Sequence, residues 1–535
     1  MTNIMTPYGK LIQSVELTNP TGTTNLDIID PHAMLWYATA ECASWGALFH
    51  ERLVETPCSA ERPWTLVLYS DEVTPGSALA HITSRKSQAV DWSFLELGVS
   101  ALSREEAWFT ACTARSSIVA GVDGGLAQLL GSNLKRFFNK TSGDNLLDGI
   151  TLRYQDRNFV FYAKLGAFLQ DGLAHKETFH VKGDNGTRSC VLCLNEVSVK
   201  SGLTNFDGSD ILRSSILRED ECDLATDADI LDTVKRLDAY KLTDGPTVFK
   251  LREQALGFNH VRYTMLLDPL LEGVILPATQ FVHDWMHCMV VGGIFQLCLH
   301  LMLEALWADG VKNIYALLGT YLDIYHWPRR LNIASMTAYF APKRREAHRD
   351  AKTFKCPASH ALSMYAVLAY YVNVVIKPSG RCTAACNAFL TLCDLLDCFL
   401  AIPLGIVSDR IFRERRDLFL EQYQAAFGIN YMTPKCHWLL HFTQHKEKMG
   451  TLLSCFVHER KHKTTKRYAT DMLNTRCYDR SLLAECLCDH LCKLSDHGAF
   501  DFTIGPIKPK RAGPKHRKYL EELLMNGVAS RPEEF

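Results

Sequence analysis

Two fragments far apart in this chain look like the halves of one metal site, and such a site constrains the fold more than any other local signal. The first is Lys182-Gly-Asp-Asn-Gly-Thr-Arg-Ser-Cys190-Val-Leu-Cys193, and the second is Cys436-His437-Trp-Leu-Leu-His441-Phe. A CxxC on a glycine-containing turn offers two thiolates. An HxxxH on a helix offers two imidazoles, one turn apart on one face. Together they make a Cys₂His₂ tetrahedral set, the usual donor combination of structural zinc, and thiolate with imidazole favours that ion. Cys193 and His437 are 244 residues apart, so a metal held by both fragments closes a very long loop. His441 with His445 is an alternative imidazole pair, and Cys436 is an alternative thiolate.

The bulk numbers narrow the class. A chain of 535 residues is long enough for about two to four domains with substantial cores. Its 47% hydrophobic and 22% charged residues are those of a soluble globular protein. A formal net charge of −1 argues against a uniformly basic coat, so any nucleic-acid contact comes from local patches. The 19 cysteines are scattered rather than arranged as a framework. The start, Met1-Thr-Asn-Ile-Met-Thr-Pro, has neither the basic region nor the apolar core of a secretory signal. We therefore expect an intracellular, reduced protein whose cysteines are mostly small buried apolar residues. Residues 286–307 are apolar but carry His287, Gln296, His300 and Glu304, and 389–406 contain Asp394 and Asp397. Both read as buried helices, so no membrane is expected as a partner.

Along the chain, apolar residues at helical spacing predict a helix over 33–53. Residues 64–70, Trp-Thr-Leu-Val-Leu-Tyr-Ser, predict a strand, as do 88–97 and 158–169. Between the last two lies a helical stretch, 105–138, interrupted by glycines at 121, 124, 125 and 131. Residues 206–240 are acidic and then helical, and 250–428 read as helix after helix. Residues 504–518 are rich in proline, glycine and basic residues, as in a tail or linker. The expected organisation has five parts. They are a helical or irregular segment at 1–60, the first part of an α/β unit at 61–200, an all-α block at 201–430, a return to the α/β unit at 431–500, and a basic tail at 501–535.

Three acids stand out. Asp71 closes the strand that begins at Trp64. Asp171 closes Phe159-Val-Phe-Tyr-Ala-Lys-Leu-Gly-Ala-Phe-Leu-Gln-Asp171. Neighbouring strands would set these carboxylates side by side at a sheet end, where two Mg²⁺ ions about 3.5–4 Å apart can sit. Glu459 lies in Ser454-Cys-Phe-Val-His-Glu459-Arg-Lys-His-Lys463-Thr-Thr-Lys466-Arg467. On a helix, Lys463 and Arg467 follow it on the same face. Oxygen ligands for Mg²⁺ beside cations for a phosphate backbone are what phosphodiester chemistry requires. Taken alone, each acid has an ordinary role. An aspartate at a strand end is commonly a turn former or helix cap, and a glutamate before Arg-Lys is commonly a surface ion pair.

Taken together, these features resemble the DDE transposases of the CACTA/Chapaev/Transib kind, whose wider group includes the recombination-activating recombinase of V(D)J joining. The resemblance covers about residues 64–470. Tyr69-Ser-Asp71-Glu-Val-Thr-Pro-Gly76 followed by Arg85-Lys86 is similar to the first-aspartate block. Phe168-Leu-Gln-Asp171-Gly-Leu-Ala-His-Lys176 through Cys190 and Cys193 is similar to the second. Asp284-Trp-Met-His287, with Gly292-Gly293 behind it, is similar to the Cys/Asp-x-x-His signature that follows the second aspartate in such proteins. The resemblance implies an α/β fold, an RNase H-like mixed sheet with flanking helices, interrupted by a large all-α insertion domain. It implies that Asp71, Asp171 and Glu459 hold two Mg²⁺ (or Mn²⁺) ions, and that Cys190, Cys193, His437 and His441 hold a structural Zn²⁺. It further implies contact of Arg460, Lys461, Lys463, Lys466 and Arg467 with double-stranded DNA at transposon ends and targets, a homodimer, and a nuclear location. Transposases of this group usually carry a DNA-binding region upstream. Here about 60 residues precede the first strand, without zinc-finger spacing or a basic helix. The alternative expectation is therefore a domesticated or decaying transposase-derived scaffold that binds DNA or protein without catalysis.

Overall fold

The computed structural model describes residues 4–500 apart from 78–79, 82, 142, 184–185, 199–211, 214–217, 328–332, 474–475 and 497. The basic tail expected at 501–535 lies outside the described residues. At the centre is a mixed sheet of five strands: β1 (Trp64–Val73), β2 (Ser87–Phe94), β3 (Phe109–Arg115), β4 (Ala163–Gln170) and β5 (Phe281–His283). Their order is β5-β4-β1-β2-β3. β1, β2 and β3 run antiparallel to one another in succession, β4 runs parallel to β1, and β5 runs parallel to β4. β1 sits in the middle because it is apolar on both faces, with Trp64 and Leu66 through Ser70 buried, the pattern of a strand covered on both sides. β4 approaches β1 closely at a register shift between Leu165 and Ala167. A Cβ on Gly166 there would lie 2.0 Å from Thr65 Cγ2, so only glycine fits.

Three expected elements are corrected. The run 158–169 is not one strand: Arg157–Phe161 pairs in a separate antiparallel hairpin with Ile150–Tyr154, and β4 begins only at Ala163. The stretch 105–138 is not helical throughout: β3 takes Phe109–Arg115, and the helix proper, α1, spans only Leu126–Phe138. The Gly124-Gly125 pair that precedes α1 has φ of +72° and +56°, a backbone that side chains disfavour, and this forces the break. The first 60 residues are also more ordered than expected. They hold an antiparallel hairpin, Ile12–Asn19 with Gly22–Ile29, and two helices, Pro31–Glu41 and Ala43–Glu55, where one was read.

After β4 comes α2 (Gly172–Phe179), then the CxxC turn, and then a long run of helices through Phe442–Met449. The block expected to be all-α over 201–430 is not wholly so. β5 lies inside it and adds the outermost strand to the central sheet. Three residues flanked by helices carry no periodicity that a sequence could reveal. The excursion away from the sheet therefore begins after His283. It returns with α3 (Phe456–Asp471), which packs against β1, and α4 (Tyr478–Leu494), which packs against β3. One hydrophobic cluster runs from Leu11 to Leu494 through sheet and helices alike. Among the described residues, three helices, Trp285–Ala308, Ala358–Ser379 and Thr383–Leu404, are long and apolar enough to cross a membrane. The two anticipated from sequence, the first and third, are 67% and 61% buried within the protein.

Candidate metal centre and carboxylate cluster

The two halves of the expected metal site meet. Cys190 Sγ lies 3.2 Å from His441 Nε2, and Cys193 Sγ lies 3.4 Å from His437 Nε2 and 3.5 Å from His441 Nε2. The two Nε2 atoms are 3.3 Å apart. A tetrahedral ion with metal–sulfur bonds of about 2.3 Å and metal–nitrogen bonds of about 2.0–2.1 Å has S···N edges of about 3.5 Å and an N···N edge of about 3.3 Å. These four edges match such a tetrahedron, all four donors lie within 4.8 Å of one another, and all four residues are buried. Their electrostatics are those of an unequal pair: the hydrogen bond with Cys190, and after it that with Cys222 and burial, pushes the Cys193 thiol up. Burial opposes a charged Cys190, but the hydrogen bond with Cys193 and the facing His441 and His437 imidazoles outweigh it and hold the thiol well below its ordinary value. His437 is raised to about 9, against burial, chiefly by the Cys190 thiolate. A buried cluster of this composition can bind a metal ion such as zinc, which satisfies every donor at once.

The alternative ligands are engaged elsewhere. His445 Nε2 accepts the backbone N–H of His283 at 3.3 Å, and the Cys436 thiol lies 3.8 Å from the Thr433 hydroxyl. One supporting residue escaped the sequence reading. The buried Glu196 carboxylate accepts the backbone N–H groups of Ser189 and Cys190, both at 3.0 Å, and the Ser189 hydroxyl. It shapes the CxxC turn from the inside. Its proximity to Cys193 in sequence was the available signal, but its burial was not.

The acids gather at one end of the sheet. Register pairs Gln170 of β4 with Ser70 of β1, so Asp171 and Asp71 follow on adjacent parallel strands. Asp71 does not end its strand, however; β1 runs on to Val73, and Asp71 lies opposite Ala89. Donor atoms of Asp71, Glu459 and His462 lie within 4.8 Å of one another. Asp171 is not part of that group. One of its oxygens accepts the Ala174 N–H at 2.6 Å and caps α2, but its charge still reaches Asp71. Burial first, then Asp171 and Glu459, raise the Asp71 carboxyl to about 7. A carboxylate crowded by two others in a low-dielectric site favours a bound cation. For an oxygen-preferring divalent ion, the converging carboxylates of Asp71 and Glu459 are therefore a fitting set.

Three residues not anticipated dock the helix that carries Glu459. The Tyr69 hydroxyl donates to Asp71 Oδ2 at 3.1 Å and lies 3.4 Å from His462 Nε2. The Tyr69 ring stacks on His458, with centroids 3.6 Å apart and planes at 11°. His458 and His462 are one turn apart on α3, so together they grip Tyr69 and bring Glu459 to β1. Their sequence signal, histidines at i and i+4 flanking Glu459, was visible but had no partner to give it meaning.

The Asp284/His287 element stands beside these acids. His287 Nδ1 is 2.5 Å from Asp284 Oδ2, whose carboxylate also accepts the N–H of His287 at 2.9 Å and of Cys455 at 3.0 Å. Cys455 precedes α3 directly, so Asp284 ties the end of β5 to the start of the Glu459 helix. Burial works against a charged His287, but Asp284, and after it Asp171 and Asp71, raise its pKa. A cavity of 560 Å³ opens here, lined among others by Asp171, Lys176, His287, Lys435 and Trp438.

The five expected DNA cations divide. Lys463 is exposed and Lys466 half-buried on α3. Lys461 is turned inward, where it pairs with Asp91 at 2.9 Å and donates to the Trp108 carbonyl. Arg460 donates to the Ser103 carbonyl at 2.6 Å, and Arg467 reaches Tyr468 at 2.9 Å and Asp489 at 3.4 Å. No protein-family profile matches the chain, and no curated protein matches it.

Proposed function

We propose that this chain is a DDE-type phosphoryl transferase, a transposase that cleaves DNA and transfers strands at transposon ends. The observation that carries the reading is the delivery of Asp71, Asp171 and Glu459 to one end of the sheet by two adjacent parallel strands and a helix. The strand order, with three antiparallel strands followed on the other side by two parallel ones, agrees with an RNase H-like core. The helices between β5 and α3 correspond to its insertion. Zn²⁺ at the Cys₂His₂ set is the clasp that brings the far side of the insertion back to the sheet.

Two Mg²⁺ or Mn²⁺ ions would supply Lewis acidity for the attacking water or 3′-hydroxyl and for the leaving oxygen. The protein's share is positional. Asp71, partly buried, and Glu459, exposed, converge their oxygen donors beside the buried His462, Asp171 adds charge from the neighbouring strand, and Asp284 sets both His287 and the start of α3. Lys463 and Lys466 are the cations best placed on α3 to meet a DNA backbone. A homodimer and a nuclear location belong to the same reading.

The second reading, a transposase-derived scaffold that binds without cutting, draws on the internal engagement of Lys461, Arg460 and Arg467. Nicking of supercoiled plasmid in Mn²⁺ separates the two. Wild type should nick, and Asp171→Asn should lose at least about a hundredfold in rate while keeping its melting temperature. Asparagine is the better substitution because it still caps α2. Unimpaired nicking by Asp171→Asn would sink the catalytic assignment, and DNA binding without nicking by wild type would favour the scaffold.

A further inference from the structure

We propose that His462 is the third donor of the cation site formed by Asp71 and Glu459, so that this centre is a mixed carboxylate–imidazole site. The inference rests on the reading above and deepens it. His462 lies three residues beyond Glu459 on α3, a spacing that sets both side chains on one side of a helix. An imidazole nitrogen of His462 and oxygens of Asp71 and Glu459 lie within 4.8 Å of one another. The residue is 3% exposed, so its ring is held among these groups rather than swinging in solvent. A neutral imidazole is the form that ligates. Tyr69 confines the ring further, because its hydroxyl contacts both His462 Nε2 and Asp71 Oδ2.

The chemistry that follows concerns which ion binds. Carboxylates alone suit Mg²⁺, whereas an imidazole nitrogen in the set favours first-row transition metals. The centre should therefore prefer Mn²⁺ to Mg²⁺ more strongly than an all-carboxylate site does. A competing role is purely mechanical, in which His462 acts through Tyr69 to hold α3 against β1.

The experiment is Mn²⁺ binding to the full zinc-loaded chain, followed by electron paramagnetic resonance with detection of nitrogen coupling to the bound ion. Zn²⁺ in the Cys₂His₂ set is diamagnetic and silent. Wild type should show one imidazole coupling, which changes isotope when the histidines are ¹⁵N-labelled. The coupling should persist in His287→Gln and vanish in His462→Gln, with Mn²⁺ affinity falling about tenfold or more and Mg²⁺ affinity changing far less. Tyr69→Phe should keep the coupling. No nitrogen coupling in labelled wild type overturns the proposal whether or not any variant folds. So does a coupling retained in His462→Gln, or an equal loss of Mn²⁺ affinity in Tyr69→Phe and His462→Gln. Failure of the functional reading shows up separately, as Mn²⁺ affinity that Asp71→Asn leaves unchanged.

Discussion

Asp171 shows how one side chain can serve structure and chemistry together. Its Oδ1 caps α2 through Ala174 while its charge acts on Asp71. Alanine and asparagine at this position should therefore differ. Asp171→Ala should lower metal-free stability by about 1 kcal/mol through loss of the cap, and Asp171→Asn by much less. Urea unfolding of both variants checks this, and equal stability would show that the cap contributes nothing. Lys461 makes the opposite point. Its position in Glu459-Arg-Lys-His-Lys suggested a hand on DNA, but its partner is Asp91, whose side chain is 2% exposed. Lys461→Met should cost about 3–5 kcal/mol by leaving a buried carboxylate unpaired. Lys463→Ala should leave stability nearly unchanged and instead weaken DNA binding, with a shallower salt dependence. Thermal melts and salt-dependent binding isotherms of the two variants distinguish the roles.

Helix α4 carries a histidine whose titration bears on stability. His490 Nε2 lies 2.9 Å from the Glu106 carbonyl. Burial, and after it Lys461, depress its pKa to about 3, with Lys493 acting in the same direction and Asp489 against. The unfolded chain takes up this proton near the ordinary histidine pKa of about 6.5, whereas the folded chain resists until about 3. The stability it confers is thus fully present above about pH 6.5 and is lost as pH falls, by up to about 1.4 kcal/mol per pH unit. His490→Gln keeps a donor for Glu106 and should reduce that slope by about 1 kcal/mol per unit between pH 6 and 5. Urea midpoints measured across that range test it, and an unchanged slope would refute it. Helix α3 owes its place to Tyr69, His458 and His462 rather than to a strong apolar stripe. For that reason its docking face was invisible until β1 lay beneath it.

For the chain as a unit, the Cys₂His₂ set would be the decisive cross-link with zinc bound, as we propose. Structural zinc contributes about 10–16 kcal/mol of binding free energy, comparable to the whole stability of an ordinary domain. Chelation, or Cys193→Ser, should therefore remove one zinc per chain and unfold sheet and helical block together, as read by metal analysis and circular dichroism. A zinc-free protein that melts at the wild-type temperature would overturn this.

Much of this arrangement was legible beforehand. Local composition marked β1, β4 and the CxxC and HxxxH pairs, because apolar runs and ligand spacings are properties of neighbouring residues. It could not mark β5, whose three residues, Phe281, Val282 and His283, become a strand only by pairing with β4. Nor could it mark Tyr69 or His462, whose roles come from residues far along the chain, or Glu196, whose partners Ser189 and Cys190 are near in sequence but whose burial comes with the packed fold. It also misread 105–138, because the β-forming run at Phe109–Arg115 is short and amphipathic neighbours surround it. Local physical chemistry thus determined which donors exist: two thiolates, two imidazoles and three acids. Which of them meet, and which cations are turned inward, depended on long-range strand register and on the large core that encloses them, since burial and like-charge crowding arise only once distant segments are packed together.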